Sequence, residues 1–362
     1  PAGMRLDEGA INNDLRRRQG GAGRGARMDI EKDEVEILSG VRKGITLGSP
    51  ICMRIKNYDS GIDRLQELTR ARPGHADLAG AMKYGFHDMR NVLERASARE
   101  TAARVAAGSL AKTLLNDFGI KVIGYVMGIG GVVDETRAQA TAKNPEEIQR
   151  LRDSSSIYCL DKGAEKGMLK RIEEASEAGD SVGGLIEVTV YGVPPGLGSY
   201  AQWDRRLDGR LAAAVMSVQA MKGVEIGLGF RVAEMPGSEV HDGIHYDPKS
   251  HGGMTGGFFR KTNRAGGLEG GVTNGEPVVV RAAMKPIPTL RKSLESVELT
   301  TKKSAPAAAE RSDVCAVPAA SVVVEAVVSF EIARAFMEKF GGDSIQETRR
   351  NLEGYLKQVR DL

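Results

Sequence analysis

Two stretches built largely from small side chains constrain this fold most. Residues 90–118 read as one long helix, with Val92, Ala96, Ala103, Ala107, Leu110 and Leu114 forming a stripe and Gly119 as its stop. Residues 319–340 are apolar nearly all round, as expected of a buried helix. An alanine stripe lets one helix approach another closely, so both predict a tightly packed helical layer. Strands are expected over 35–38, 50–55, 121–127, 185–190 and 277–284. In 185–190, Ile186, Val188 and Val190 alternate with Glu187 and Thr189. Further helices are expected over 77–89, 161–178 and 207–221, and one opens at Asn144-Pro145, a cap followed by proline. Ser344-Ile-Gln-Glu347 reads as a capping box for the last helix. Residues 233–275 are polar and glycine-rich and read as a long loop. Strands and long helices occur in both halves, which points to an α+β layout.

Composition narrows the function. The 362 residues hold 51 basic and 48 acidic side chains, a net charge of +3, which argues against a dedicated nucleic-acid binder. Cys52, Cys159 and Cys315 are too dispersed for a disulfide framework or a metal cluster, so a reducing cytoplasm is expected. No apolar run is long enough to suggest a membrane span. The chain opens on Pro1 without a signal peptide, so its true start is expected to lie upstream.

The chemistry is concentrated in arginine-bearing segments. Arg18, Arg24 and Arg27 lie in a glycine-rich opening, which fits either a loop closing over anionic groups or an RGG-like tail. Arg72-Pro-Gly-His75-Ala-Asp77 puts a histidine at a turn before a helix. His75 fits a general acid or an anion-stabilising cation, and Asp77 fits a helix cap. Ser97, Arg99 and Glu100 are expected inside a helix, with Ser97 and Glu100 on one face. Lys285-Pro-Ile-Pro-Thr289 is stiff and extended, and its ends fit a phosphate or the end of an edge strand. Arg311-Ser-Asp313 precedes the buried helix, where its charges are either paired together or turned to a ligand. His241, His245 and Asp247 could suggest a metal site, but nothing in the sequence puts them on a helix, so no metal is expected. Several arginines with serine, glycine and carboxylate neighbours point to one site for a small polyanion.

Taken in order along the chain, these segments resemble the chorismate synthase family. The resemblance rests on Gly20–Pro50, Arg72–Asp77, Arg95–Val105, Thr262–Gly275, Met284–Thr289 and Arg311–Ala319. It implies an α+β fold, a β-α-β sandwich with a helical layer between two antiparallel sheets, as a single domain over 1–362 with a possible loop insertion at 233–262. It implies an anti-1,4-elimination of phosphate from 5-enolpyruvylshikimate 3-phosphate, giving chorismate in the shikimate pathway of aromatic amino-acid biosynthesis. The elimination is redox-neutral but requires reduced FMN, with NADPH only as a source of reducing equivalents. The resemblance further implies a cytoplasmic homotetramer acting on a small molecule, without nucleic acid or membrane.

Residue by residue, it implies that Arg18, Arg24, Arg27, Arg72 and Arg99 bind the substrate's phosphate and carboxylates. Ser97, Ala98, Arg99, Gln219, Ala220, Gly270, Lys285, Pro286, Ile287, Pro288, Thr289 and Arg311 fall at flavin-contact positions. His75 and Asp313 carry catalysis, Asp313 by relaying the proton that the substrate loses. One departure stands out. The family opens on a strand bearing Gly-Glu-Ser-His-Gly, absent here, and that strand is expected upstream of Pro1.

Overall fold

The computed structural model of the protein describes residues 1–24, 32–58, 64–135, 144–308 and 313–362. Its centre is a five-stranded antiparallel sheet made of β3 (Lys121–Ile129), β4 (Val132–Val133), β5 (Gly184–Tyr191), β6 (Met221–Ile226) and β9 (Val278–Met284), in the order β4-β3-β5-β9-β6. The alternation in β5 sorts its side chains as expected. Ile186, Val188 and Val190 face the main core, while Glu187 and Thr189 take the other face, which is also buried. There Glu187 accepts from Tyr125 Oη and, at 2.6 Å, from Arg281 Nε, so the buried charge is paired.

The helical layer covers the sheet. Helix α8 (Val317–Phe340) lies across β3 and β5 and against α1 (Glu8–Gln19), α4 (Thr101–Asp117) and α7 (Leu207–Met216). Small residues permit this closeness, though not all of those in the predicted stripe, since Ala103 is exposed while Ala102, Ala106 and Gly108 are buried. A Cβ on Gly108 of α4 would come 2.4 Å from Ala326 Cβ, and one on Gly124 of β3 would come 2.8 Å from Ser321 O. On its far side α4 meets β2 (Cys52–Ile55), which pairs antiparallel with β1 (Val35–Ser39). Helices therefore lie between antiparallel sheets, in keeping with the α+β class. Among the described residues the second sheet is this two-stranded pair.

Four local expectations change. The helix predicted over 77–89 ends at Tyr84, where Gly85 adopts a left-handed φ of 69°. The long helix predicted over 90–118 is broken at Ser97, whose extended backbone (φ −60°, ψ 136°) separates α3 (Arg90–Ala96) from a 3-10 turn, Ala98–Glu100, and then α4. Ser97 Oγ accepts from Arg99 N at 3.2 Å, the local bonding by which serine competes with a helix. Helix α7 stops at Met216 rather than at 221, and Ala220 adopts a left-handed φ of 66° at the entry to β6. The 233–275 loop holds a hairpin of β7 (Ile244–Tyr246) and β8 (Phe258–Arg260), where His251 stacks on Phe259. Asp247 caps a short turn there. Helices α5 (Pro145–Asp153) and α9 (Ile345–Arg360) start where their predicted caps, Asn144 and Ser344, place them, and α2 (Asp77–Tyr84) and α6 (Lys162–Glu177) start close to their expected positions.

Candidate functional site

The last turn of α1 fixes the first arginines. Arg17 is buried and donates to Asp14 at 2.9 Å and to Glu325 of α8 at 3.0 Å. Glu325 is fully buried, and Lys112 and Arg152 also reach it, at 2.6 and 3.1 Å. Burial opposes its charge, yet Arg17, Lys112 and Arg152 hold its carboxyl well below the ordinary carboxylate range. With α1 anchored in this way, Arg18 points to the opposite partner set. It donates to Thr101 Oγ1 and Asp33 Oδ2, both at 3.0 Å, and to Ala98 O at 3.4 Å. These buried, paired guanidiniums on a helix do not fit an RGG-like tail.

Arg99 reaches the same carboxylate. It donates to the other oxygen of Asp33 and to Lys56 O at 2.9 Å. Its neighbour Glu100 accepts from Gln219 Nε2 at 2.6 Å and from Arg104. Burial works against its charge, but these bonds keep the Glu100 carboxyl below its usual value. Gln219 leads into Ala220, whose carbonyl accepts from Lys285 N at 3.0 Å. One hydrogen-bonded path thus runs from Arg18 through Arg99, Glu100 and Gln219 to the Lys285–Thr289 run.

That run meets the third motif. Arg72 donates to Thr289 Oγ1 at 3.1 Å and grips both oxygens of Asp77, at 2.8 and 3.0 Å, while Lys285 Nζ donates to Gly74 O. Asp77 does not cap α2, whose N-cap residue Ala76 makes no side-chain cap bond. Instead Asp77 lies 2.5 Å from His75 Nδ1. That contact is a donor meeting a carboxylate, so Nδ1 carries the proton, and the 3.1 Å approach of Arg72 Nη2 to the same nitrogen is a close contact. Nε2 is then the nitrogen left for a ligand. Burial opposes the Asp77 charge, but the bonds from His75 and Arg72 hold its carboxyl far below the usual range.

Arg24 donates to Asp313 Oδ2 at 2.6 Å, six residues beyond Arg18. Backbone bonds from Val314 N and Cys315 N to Gly23 O, at 2.9 and 3.2 Å, join the two segments. Burial pushes the Cys315 thiol up to about 11, which leaves it a poor nucleophile at neutral pH. Arg27 and Arg311 lie outside the described residues. Gly270 is not brought to this cluster within one chain. It forms the turn whose next residue, Gly271, accepts from Leu207 N at the start of α7. Gln219 follows the end of that ten-residue helix, about 15 Å away.

A planar, hydrogen-bonding cofactor fits the residues present. Gln219 Oε1 is buried and has no hydrogen-bond partner among the described residues. It precedes the left-handed turn at Ala220, whose carbonyl accepts from Lys285 N at 3.0 Å at the start of the Lys285–Thr289 run. A buried, unmatched acceptor suits a ring carrying an N–H donor. Sequence reasoning missed Asp33 and Thr101 as partners of the arginines. Asp33 lies among similar charged residues, and nothing in its spacing sets it apart.

Comparison with known proteins identifies the relatives of this arrangement. The family model described as chorismate synthase matches residues 1–337. Chorismate synthase of Geobacter metallireducens is 56% identical over 376 residues, spanning 100% of this chain and 94% of the relative. That of Desulforamulus reducens is 54% identical over 373 residues, with the same coverage. A crystal structure of chorismate synthase superposes with a TM-score of 0.80 at 42% identity, covering 100% of this chain and 92% of the other.

Proposed function

The chain belongs to the chorismate synthase family, and from that premise we propose that it eliminates phosphate from 5-enolpyruvylshikimate 3-phosphate to form chorismate. The observation that carries the reading is the hydrogen-bonded path joining Arg18, Arg99, Gln219, Lys285 and Arg72, with their partners Asp33 and Asp77.

In the reaction, the C–O bond to phosphate breaks and its electron pair leaves with the phosphate. A C–H bond breaks in the anti sense, and its electrons form the new double bond. Arg18, Arg24, Arg27, Arg72 and Arg99 bind the phosphate and carboxylates, offsetting charge that would otherwise repel itself in a confined site. His75, oriented by Asp77 through Nδ1, presents Nε2 to the bound groups. Asp313, steadied by Arg24, accepts the departing proton at a carboxylate oxygen. Ser97, Ala98, Arg99, Gln219, Ala220, the Lys285–Thr289 run and Arg311 would hold the cofactor. Reduced FMN, once bound there, would supply the electron density that loss of phosphate needs, with no net oxidation, and its reducing equivalents would come from outside the chain, NADPH serving only as their source. The protein works as a single-domain subunit of a cytoplasmic homotetramer, with 233–262 an inserted loop.

Anaerobic turnover with photoreduced FMN tests this reading. Chorismate and inorganic phosphate should appear in equal amounts, and oxidised FMN should give neither. Bound substrate and reduced flavin without phosphate release would overturn it.

A further inference from the structure

Asp33 holds two arginines that arrive from different elements. Arg18 comes from the end of α1, and Arg99 from the 3-10 turn before α4. Each guanidinium takes one oxygen of the same buried carboxylate. The Asp33 backbone N–H is itself fixed by Gln19 Oε1 at 3.2 Å. Each arginine has a further anchor on its own side, Thr101 Oγ1 for Arg18 and Lys56 O for Arg99. A guanidinium is a rigid planar fork, so anchoring it at several points fixes where its remaining N–H groups aim.

We propose that Asp33 is a positioning residue that sets the spacing and aim of Arg18 and Arg99, and so selects an anionic group of matching width. This rests on the proposed lyase reaction, in which both arginines grip the substrate. Charge alone and positioning predict opposite signs. Removing a carboxylate makes the site more positive, so charge alone would tighten substrate binding. Loss of aim would weaken it.

Asp33→Asn and Asp33→Glu are compared with the unmodified protein in two assays. One is steady-state turnover, and the other is calorimetric binding of 5-enolpyruvylshikimate 3-phosphate to protein holding oxidised FMN. An interaction made equally in ground and transition states moves KM and leaves kcat nearly in place, here within about threefold. Losing a charge-assisted hydrogen bond at each fork should raise KM and Kd about tenfold in the Asn variant. The Glu variant keeps the charge but shifts it by one methylene, and the same rise is expected at unchanged melting temperature. If Asp33 only balances charge, the Glu variant binds like the unmodified protein, and that result overturns the proposal even if the Asn variant does not fold. Tighter binding by the Asn variant overturns it too. Unmodified protein that makes no chorismate would sink the lyase reading instead, and the Kd values of the variants would still decide the role of Asp33.

Discussion

Asp77 and Asp313 have different tasks although each pairs with an arginine. Asp77 is fully enclosed by Arg72 and His75, whereas the Asp313 side chain keeps 21% of its exposure, which agrees with the proton-accepting role proposed for it. Asp313→Ala should reduce turnover to near background with the fold intact, and His75→Ala should slow turnover with FMN still bound. Rates like those of the unmodified protein, read beside circular dichroism and flavin titration, would remove the assigned roles. Asp77 also couples stability to pH. Its folded-state carboxyl is held below the ordinary value of about 4, so it stabilises the fold above that pH, and the contribution is lost as pH falls below it. Asp77→Asn should therefore be less stable at neutral pH and lose less on acidification, as measured by urea unfolding between pH 7 and pH 3. The sequence displayed Arg72 and His75 through their turn, but Asp77 looked like a cap because proximity to a helix start is all that a sequence conveys.

At the scale of elements, periodicity predicted which helices pack and failed where local chemistry interrupts them. Of the stripe along 90–118, Val92 and Leu114 are buried, but Ala103 is exposed, and α4 packs instead through Ala102, Val105, Ala106 and Leu115. The extended Ser97, whose Oγ accepts from Arg99 N, separates the two helices. The break matters because it turns Arg99 out of a helical face and toward Asp33. Similarly, α7 ends early so that Gln219 and Ala220 form a turn against Lys285. The capped helices α5, α6 and α9 were legible because their caps act within a few residues. The Glu325 cluster was not, since its partners Asp14, Arg17, Lys112 and Arg152 are dispersed along the chain. Glu325→Gln would leave those cations without their shared anion and should cost about 3–5 kcal/mol, seen as a lower urea midpoint. A variant within about 0.5 kcal/mol of the unmodified protein would contradict this account.

For the molecule as a whole, the α+β class could be read from the sequence, but the five-stranded order could not, because strands far apart in sequence become neighbours. Apolar residues Tyr200, Trp203 and Phe230 are about 80% exposed, which agrees with the homotetramer proposed above. Light scattering should give four times the 38.8 kDa chain mass, and a monomer at working concentration would refute it. The Glu325 cluster has a consequence for how the protein fails. It ties the final turn of α1 to α4, α5 and α8 at once, so that turn cannot fray by itself. Its amides should exchange with deuterium only when the entire chain opens. The arginines beyond it then keep their aim until the fold collapses, and on heating, activity and structure should disappear together.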